Sequence, residues 1–291
     1  MGTFGFESTA EEVTADLDLS GKTYVVTGCN SGIGLETARV LALRGAHVIG
    51  TARTEQKARE AVGERGTALE CELSDPPSVR RCAAALRAFE RPLDAIICNA
   101  GIMALPSPQP KFGLDLQLLT NHIGHFLLVT EAMDRLAPDG RVVMVSSGAH
   151  FMAPESGIEF DNLSGEKDYS PFKQYGQSKL ANVLFAKELA RRWATTRRTA
   201  NALHPGVIRT NLGRHAREQV DGFLQTARTK TIPQGAATQC LVATRPEVAT
   251  TTGEYFSDCR IAPTSPLAQS AELAARLWER SEQIAAELPR A

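Results

Sequence analysis

Between residues 23 and 204, short apolar runs alternate with segments of helical period, and no other feature restricts the chain as much. Strands are expected over Thr23–Thr27, His47–Thr51, Ala68–Glu72, Ala95–Cys98, Arg141–Ser146 and Thr199–Leu203, with Glu254–Phe256 joining late. Several of these runs are apolar nearly throughout instead of alternating, which is the pattern of strands covered on both faces of a parallel sheet. Helices are expected over Gly34–Arg44, Glu55–Val62, Ser78–Phe89, Leu114–Leu136 and Tyr175–Ala194. Asp75 ahead of Pro76 and Pro77 marks one start, a cap followed by proline in the first turn. The alternation predicts a doubly wound α/β fold, with a parallel sheet of about seven strands and helices on both faces. No internal repeat, low-complexity tract or linker appears, so residues 1–291 are expected to form a single domain.

Composition narrows the classes of function. A formal net charge of −1 gives no basic field for nucleic acid or an anionic membrane, and neither is expected as a partner. No run approaches the roughly 18 apolar residues of a membrane span, and Met1 to Ser20 are polar and acidic instead of resembling a signal peptide. The six cysteines (Cys29, Cys71, Cys82, Cys98, Cys240 and Cys259) show neither a CxxC pair nor metal-ligand spacing. Free thiols in a reducing, cytoplasmic setting, and no metal, are the expectation.

The first strand runs into Thr27-Gly28-Cys29-Asn30-Ser31-Gly32-Ile33-Gly34 and then into a helix. Glycines at Gly28, Gly32 and Gly34 permit a tight turn, close approach of backbone to a pyrophosphate, and tight packing of helix on strand. The helix start offers free N–H groups and a positive dipole end to phosphates. By itself the segment reads equally as a plain glycine-rich turn, and its spacing is G-x-x-x-G-x-G instead of GxGxxG. Further along come Cys98-Asn99-Ala100-Gly101 after the fourth strand, and Asn121-His122-Ile123-Gly124-His125-Phe126 in a helix. Val145-Ser146-Ser147 ends the fifth strand, followed by Tyr175-Gly176-Gln177-Ser178-Lys179 and by Pro205-Gly206-Val207-Ile208-Arg209-Thr210.

These six motifs, in this order over nearly the whole chain, resemble those of the short-chain dehydrogenase/reductase family. The segments Asn121–Phe126 and Ser178–Phe185, with the tail Gly253–Cys259 and Arg276-Leu277-Trp278, resemble its retinol dehydrogenase-like branch. That branch includes WW-domain oxidoreductases and bacterial hydroxysteroid dehydrogenases. The resemblance implies a Rossmann fold, with a cofactor half at about 20–145 and a catalytic and substrate half at about 146–291. It implies hydride transfer between NADP(H) or NAD(H) and an alcohol or carbonyl carbon, and a homodimer or homotetramer. The implied cofactor contacts are Gly28, Asn30, Ser31, Gly32, Ile33, Gly34, Asn99, Ala100, Gly101, Tyr175, Lys179, Pro205, Ile208 and Thr210, with Glu72 and Leu73 beside the adenine. Two departures stand out: Cys98 replaces an asparagine at a strand end, and Glu72 stands where an aspartate usually touches the adenine. The implied catalytic residues are Asn121, Ser147, Tyr175 and Lys179.

The chemistry is consistent with those residue types. A free tyrosine, with a pKa of ~10, is a poor base at neutral pH. Lys179, four residues on, shares a helix face with Tyr175. Its ammonium, together with the positive charge of an oxidised nicotinamide, favours the phenolate and lowers that pKa. Ser147 would hydrogen-bond the substrate oxygen where charge develops. Lys179 would also hold the nicotinamide ribose, and Asn121 would anchor a water beside it. Tyr169-Ser170-Pro171-Phe172-Lys173 is a second YxxxK, but Pro171 falls inside the turn that must be helical.

Other residues leave alternatives open. His122 and His125 read as a metal pair or as helix packing, and His150 as facing substrate or loop solvent. Cys29 reads as a small turn residue or a redox sensor. After the second strand, Ala52 stands where NAD-dependent relatives carry an acid and Arg53 follows, a guanidinium suited to a 2′-phosphate. NADP(H) is therefore favoured over NAD(H), the alternative being a solvent-facing arginine. The stretches Ile102–Gly113, Gly148–Gln174 and Asn211–Pro233 follow carboxyl ends of strands, where open α/β sheets bind ligands. In the last, Leu212, Val220, Phe223 and Leu224 form one apolar face, either a lid over a hydrophobic substrate or a core-packing helix. A dinucleotide-sensing regulator would keep the glycine turn and discard the four catalytic positions, all filled here. Epimerases and dehydratases on this scaffold usually carry a longer segment after the sixth strand. A hydrophobic secondary alcohol or ketone of steroid, retinoid or aromatic type is the expected substrate.

Overall fold

The structure is a computed structural model describing residues 4–210, 212, 222 and 225–290. Seven parallel strands form the central sheet: β1 Thr23–Thr27, β2 His47–Ala52, β3 Thr67–Glu70, β4 Leu93–Cys98, β5 Leu136–Val145, β6 Thr199–His204 and β7 Tyr255–Ser257. A two-residue antiparallel strand, β8 Arg260–Ile261, extends the edge beyond β7. The order is β3-β2-β1-β4-β5-β6-β7-β8. Direction of travel reverses between β1 and β4, so the carboxyl ends of those two strands flank the crevice where such sheets bind ligands. In register, Thr27 lies beside Thr51, Cys98 beside Met144, and Val145 beside Leu203.

Period two divides the strand side chains between two cores. Tyr24, Val26, Val48, Ile97 and Val143 pack on one face, against α1 Gly32–Leu43, α2 Glu55–Val62 and α6 Ile232–Thr244. Val25, Ile49, Ile96, Val142 and Met144 face the other side. There they meet α3 Pro76–Ala88, α4 Gly124–Ala132, α5 Pro171–Arg192 and α7 Ala271–Glu287. Burial on both faces is why these strands are apolar throughout. Among the described residues no helix is long and apolar enough to cross a membrane.

Several boundaries differ from expectation. α5 starts one turn earlier than Tyr175, because Pro171 at its first position has no N–H to lose there. The long helix expected over Leu114–Leu136 is broken. It begins at Leu116–Leu118, widens into a π turn over Leu119–Ile123, continues as α4 and ends in a 3₁₀ turn at Met133–Arg135. β5 reaches back to Leu136. α6 has no polar face to betray it, since Gly235 to Thr244 are all buried. α7 buries Ala274, Leu277, Trp278, Ser281 and Ile284, a readable stripe not assigned above. The proposed lid, Asn211–Pro233, falls largely outside the described residues; within it Thr229–Lys230 pairs with Val207–Ile208.

One buried acid should leave a mark on stability. Asp115 caps the Leu116 turn, its Oδ1 accepting from the N–H of Gln117 and Leu118. Its Oδ2 is buried without a partner among the described residues. Burial pushes the Asp115 pKa up from 3.8 to about 6, outweighing those backbone bonds. A raised folded-state pKa means the fold favours the protonated acid. Stability is thus undiminished below the unfolded value and declines as pH rises towards 6. Asp115→Asn keeps the cap acceptor and removes the buried charge, which costs on the order of 1–3 kcal/mol above pH 6. The expected result is a higher Tm at pH 7 and a smaller change at pH 4. Equal shifts at both pH values would show that Asp115 carries no pH-dependent cost.

Candidate active site

At the carboxyl ends of β1 to β6 opens a cleft of about 1510 Å³, running from Arg53 and Glu72 at one end to Tyr175 and His204. The glycine turn forms its floor. Gly28 and Gly32 have φ of +66° and +56°, the left-handed region open to glycine. Gly34 is required by contact: a Cβ there would lie 2.3 Å from the Gly28 carbonyl oxygen and 2.4 Å from Asn99 Nδ2. Ser31 precedes α1 in extended conformation and makes no side-chain cap, so the first N–H groups of α1 face the cleft uncapped. A floor of backbone with uncapped N–H groups, closed to any larger side chain, fits the pyrophosphate of a dinucleotide.

The Asn99-Ala100-Gly101 segment is locked to β1. Asn99 Nδ2 donates to the Thr27 carbonyl at 2.9 Å, and Thr27 Oγ1 accepts from the N–H of Asn99 at 2.9 Å and of Ala100 at 3.0 Å. Gln239 on α6 donates to Asn99 Oδ1 at 3.3 Å. Cys98 is fully buried, as expected for a strand end. At the far end Glu72 Oε1 accepts from the N–H and hydroxyl of Ser74, while Glu72, Leu73 and exposed Arg53 line the rim. Asn30, Ile33, Pro205, Ile208 and Thr210 line the cleft as well.

α5 and the end of β5 bring the other predicted residues together. Ser147 caps the 3₁₀ turn Gly148–Met152, with Oγ accepting from the Ala149 N–H at 3.1 Å, and its hydroxyl lies near enough to the Tyr175 phenol to act on its pKa. Lys179 Nζ donates to the Val145 carbonyl at 3.0 Å and lies 5.6 Å from the Tyr175 ring centre. Ser146 Oγ donates to the Lys179 carbonyl, fastening helix to strand end. Burial pushes the Tyr175 phenol up to about 12, against the Ser147 hydroxyl, which pulls it down, and pushes the Lys179 ammonium down to about 8. In the protein by itself burial therefore outweighs the lowering expected from Lys179. Asn121, in the π turn, accepts at Oδ1 from the Ile102 N–H at 2.8 Å. Its Nδ2 donates to the Ile102 carbonyl and to Ser178 Oγ, both at 2.9 Å.

Some residues left open above are settled by burial. His150 does not line the cleft: it is fully buried, donates from Nδ1 to the Ser147 carbonyl at 2.7 Å and accepts at Nε2 from the Ser265 N–H. His122 packs among Phe126 and Phe185 and bonds Ser281 Oγ at 2.9 Å. No group of three metal-ligating side chains occurs among the described residues. Cys29 is buried and its thiol pushed up to about 12, the opposite of a reactive thiolate. Tyr169 lies before the start of α5 and donates to the Leu105 carbonyl at 2.7 Å, so the second YxxxK ties two loops together. Sequence patterns missed Thr27, Gln239, Ser178 and the cleft residues Met103, Leu105, Met152 and Phe172. Thr27 and Ser178 carried a signal by lying inside recognised motifs, and Met103, Leu105, Met152 and Phe172 only a coarse one by lying in the stretches after strand ends; Gln239 carried none.

Residues 22–221 match the short chain dehydrogenase family model. A short-chain dehydrogenase of Brassica napus, TIC 32 B, chloroplastic, is 40% identical over 98% of this chain and 95% of its own length. Human retinol dehydrogenase 12 is 39% identical over 92% of this chain and 88% of its own. A short-chain dehydrogenase from Burkholderia cenocepacia, solved in complex with NADP, superposes with a TM-score of 0.67 at 26% identity, covering 82% of this chain and 96% of that one. This chain belongs to the short-chain dehydrogenase/reductase family, in its retinol dehydrogenase-like branch. It is an NAD(P)-dependent oxidoreductase acting on CH–OH groups of small molecules.

Proposed function

We propose that this chain is an NADP(H)-preferring dehydrogenase/reductase of hydrophobic secondary alcohols or ketones, of steroid, retinoid or aromatic type. The observation that carries the substrate class is the lining of the cleft beyond Ser147. Met103, Leu105, Met152 and Phe172 line the cleft together with Gln109 and Leu116, a mostly apolar set in the stretches after the strand ends. The retinol dehydrogenase relative supports the retinoid arm. Arg53 at the rim, with Ala52 in place of an acid, supports the 2′-phosphate preference. A cytoplasmic location remains part of the proposal beside chloroplastic relatives.

Bound in the cleft, a nicotinamide dinucleotide supplies or accepts the hydride. Tyr175 is the acid in reduction and, as phenolate, the base in oxidation. Ser147 holds the substrate oxygen and stabilises its negative charge. The Lys179 ammonium favours the phenolate and orients the ribose hydroxyls. Asn121 holds a water beside Lys179 for proton exchange. Gly101 keeps that space open, since a Cβ there would lie 3.1 Å from Asn121 Oδ1 and 3.5 Å from Lys179 Nζ.

A nicotinamide absorbance screen over steroid, retinoid, aromatic and aliphatic carbonyls with both dinucleotides tests this directly. Turnover should be confined to hydrophobic ketones or alcohols, with kcat/KM higher for NADP(H). Arg53→Ala should lower the NADP(H)/NAD(H) ratio by roughly 10- to 100-fold, the worth of a charge-assisted contact. A wild-type preference for NAD(H) would defeat the cofactor assignment, and turnover only of anionic or small aliphatic carbonyls the substrate class.

A further inference from the structure

We infer that His125 is a positioning residue. It holds Asn121 in place from the strand end that carries the glycine turn, through one fixed imidazole tautomer. The inference rests on the reading of Asn121 as part of the reacting site.

Thr27 Oγ1 accepts two backbone N–H bonds, from Asn99 at 2.9 Å and Ala100 at 3.0 Å. Its own proton is then free to be donated, and His125 Nε2 lies 2.8 Å away, against 3.5 Å for the Ile97 carbonyl. Nε2 is therefore the acceptor, and the ring proton sits on Nδ1. The other side of the ring requires the same arrangement: Nδ1 faces the Asn121 carbonyl at 3.0 Å, and a carbonyl only accepts. The ring is fully buried, which holds its pKa down to about 4, and the nearby Lys179 charge acts in the same direction. His125 is thus neutral at working pH, with both nitrogens engaged.

The location of these bonds gives them their consequence. Asn121 lies in the π turn, where the Gly124 N–H reaches back five residues to the Leu119 carbonyl. Such widened turns need support, and the His125 side chain adds a donor inside this one. Asn121 is then aimed at Ile102 and Ser178, with its Oδ1 beside the space at Gly101 that Lys179 also faces. The segment from Asn99 to Ile102 is consequently held at both ends, at Ala100 through Thr27 and His125, and at Ile102 through Asn121. A dinucleotide lying along Asn99–Gly101 and the proton-exchange side chain Asn121 thereby share one frame.

His125→Phe keeps an aromatic ring in the site and removes both hydrogen bonds. The expected result is a fall in kcat on the order of 10²-fold, the cost of a small misplacement at a reacting site. Dinucleotide affinity, read by NAD(P)H fluorescence, should hold. His125→Gln offers an amide acceptor and donor and should recover most of kcat. In an Asn121→Ala background His125→Phe should add no more than about twofold, because both act through one group. An impaired Asn121→Ala beside an unaffected His125→Phe would overturn the inference alone. A near-wild-type Asn121→Ala would overturn the reading of Asn121, and the inference with it. Wild-type protein offers a test independent of refolding. ¹⁵N spectra of the histidines should show His125 protonated on Nδ1 and not titrating above pH ~5; an Nε2–H tautomer would overturn the inference.

Discussion

Tyr175→Phe should bind the dinucleotide as the parent does and turn over roughly 10²–10⁴-fold more slowly, the usual range for loss of a positioned acid/base. The ring is 4% exposed and packed in α5, so phenylalanine preserves the packing and deletes only the hydroxyl beside Ser147. Tyr169→Phe is the matching control. Its hydroxyl bonds the Leu105 carbonyl, and its loss should loosen the wall of the cleft, raising KM for substrate while kcat holds. Steady-state kinetics of the two variants, with binding read separately by NADPH fluorescence, decide the matter. An active Tyr175→Phe and a dead Tyr169→Phe would exchange the two roles.

Gly34→Ala should be the most damaging small substitution in the cofactor half. The added methyl meets the Gly28 carbonyl and the Asn99 amide, neither of which is the free end of a flexible chain. Asn99 must then release the Thr27 carbonyl, or α1 must shift away from β1. Overpacking of this kind costs roughly 1–3 kcal/mol, and it moves the N–H groups that line the floor of the cleft. A lower Tm and a loss of dinucleotide affinity of at least tenfold, on the order of 1.4 kcal/mol, are expected together. Calorimetric titration with NADPH measures the affinity. Unchanged binding would mean that the first turn of α1 does not hold the phosphates.

How legible the site was depended on whether its residues act locally. Tyr175 and Lys179 are set four apart on one helix, so their proximity follows from helical geometry. The glycine turn announces itself because its conformation is open to few other residues. Burial, by contrast, is a property of the fold. His150 was readable either as facing substrate or as solvated, and packing against Tyr255 with a bond to Ser265, more than a hundred residues on, made it internal. The expected fall in the Tyr175 pKa met the same limit, because desolvation by the whole core outweighs a neighbour known from spacing.

The amino-acid sequence by itself determined the parallel sheet, the position of the cleft at its carboxyl edge, and the identity of the four side chains proposed to react there. The sheet and cleft depend on periodicity and conformational restriction and the Tyr175–Lys179 pairing on spacing within one helix, whereas Asn121 and Ser147 are what the resemblance to short-chain dehydrogenases implies. Only the tertiary structure decided what holds those side chains in place. The Thr27–His125 link and the Gln239 bond to Asn99 join residues 98 and 140 positions apart. Hydrogen bonds between distant residues leave no periodic trace in a sequence, because each partner must satisfy only its own local backbone. Their geometry exists only once burial has removed water as the competing partner.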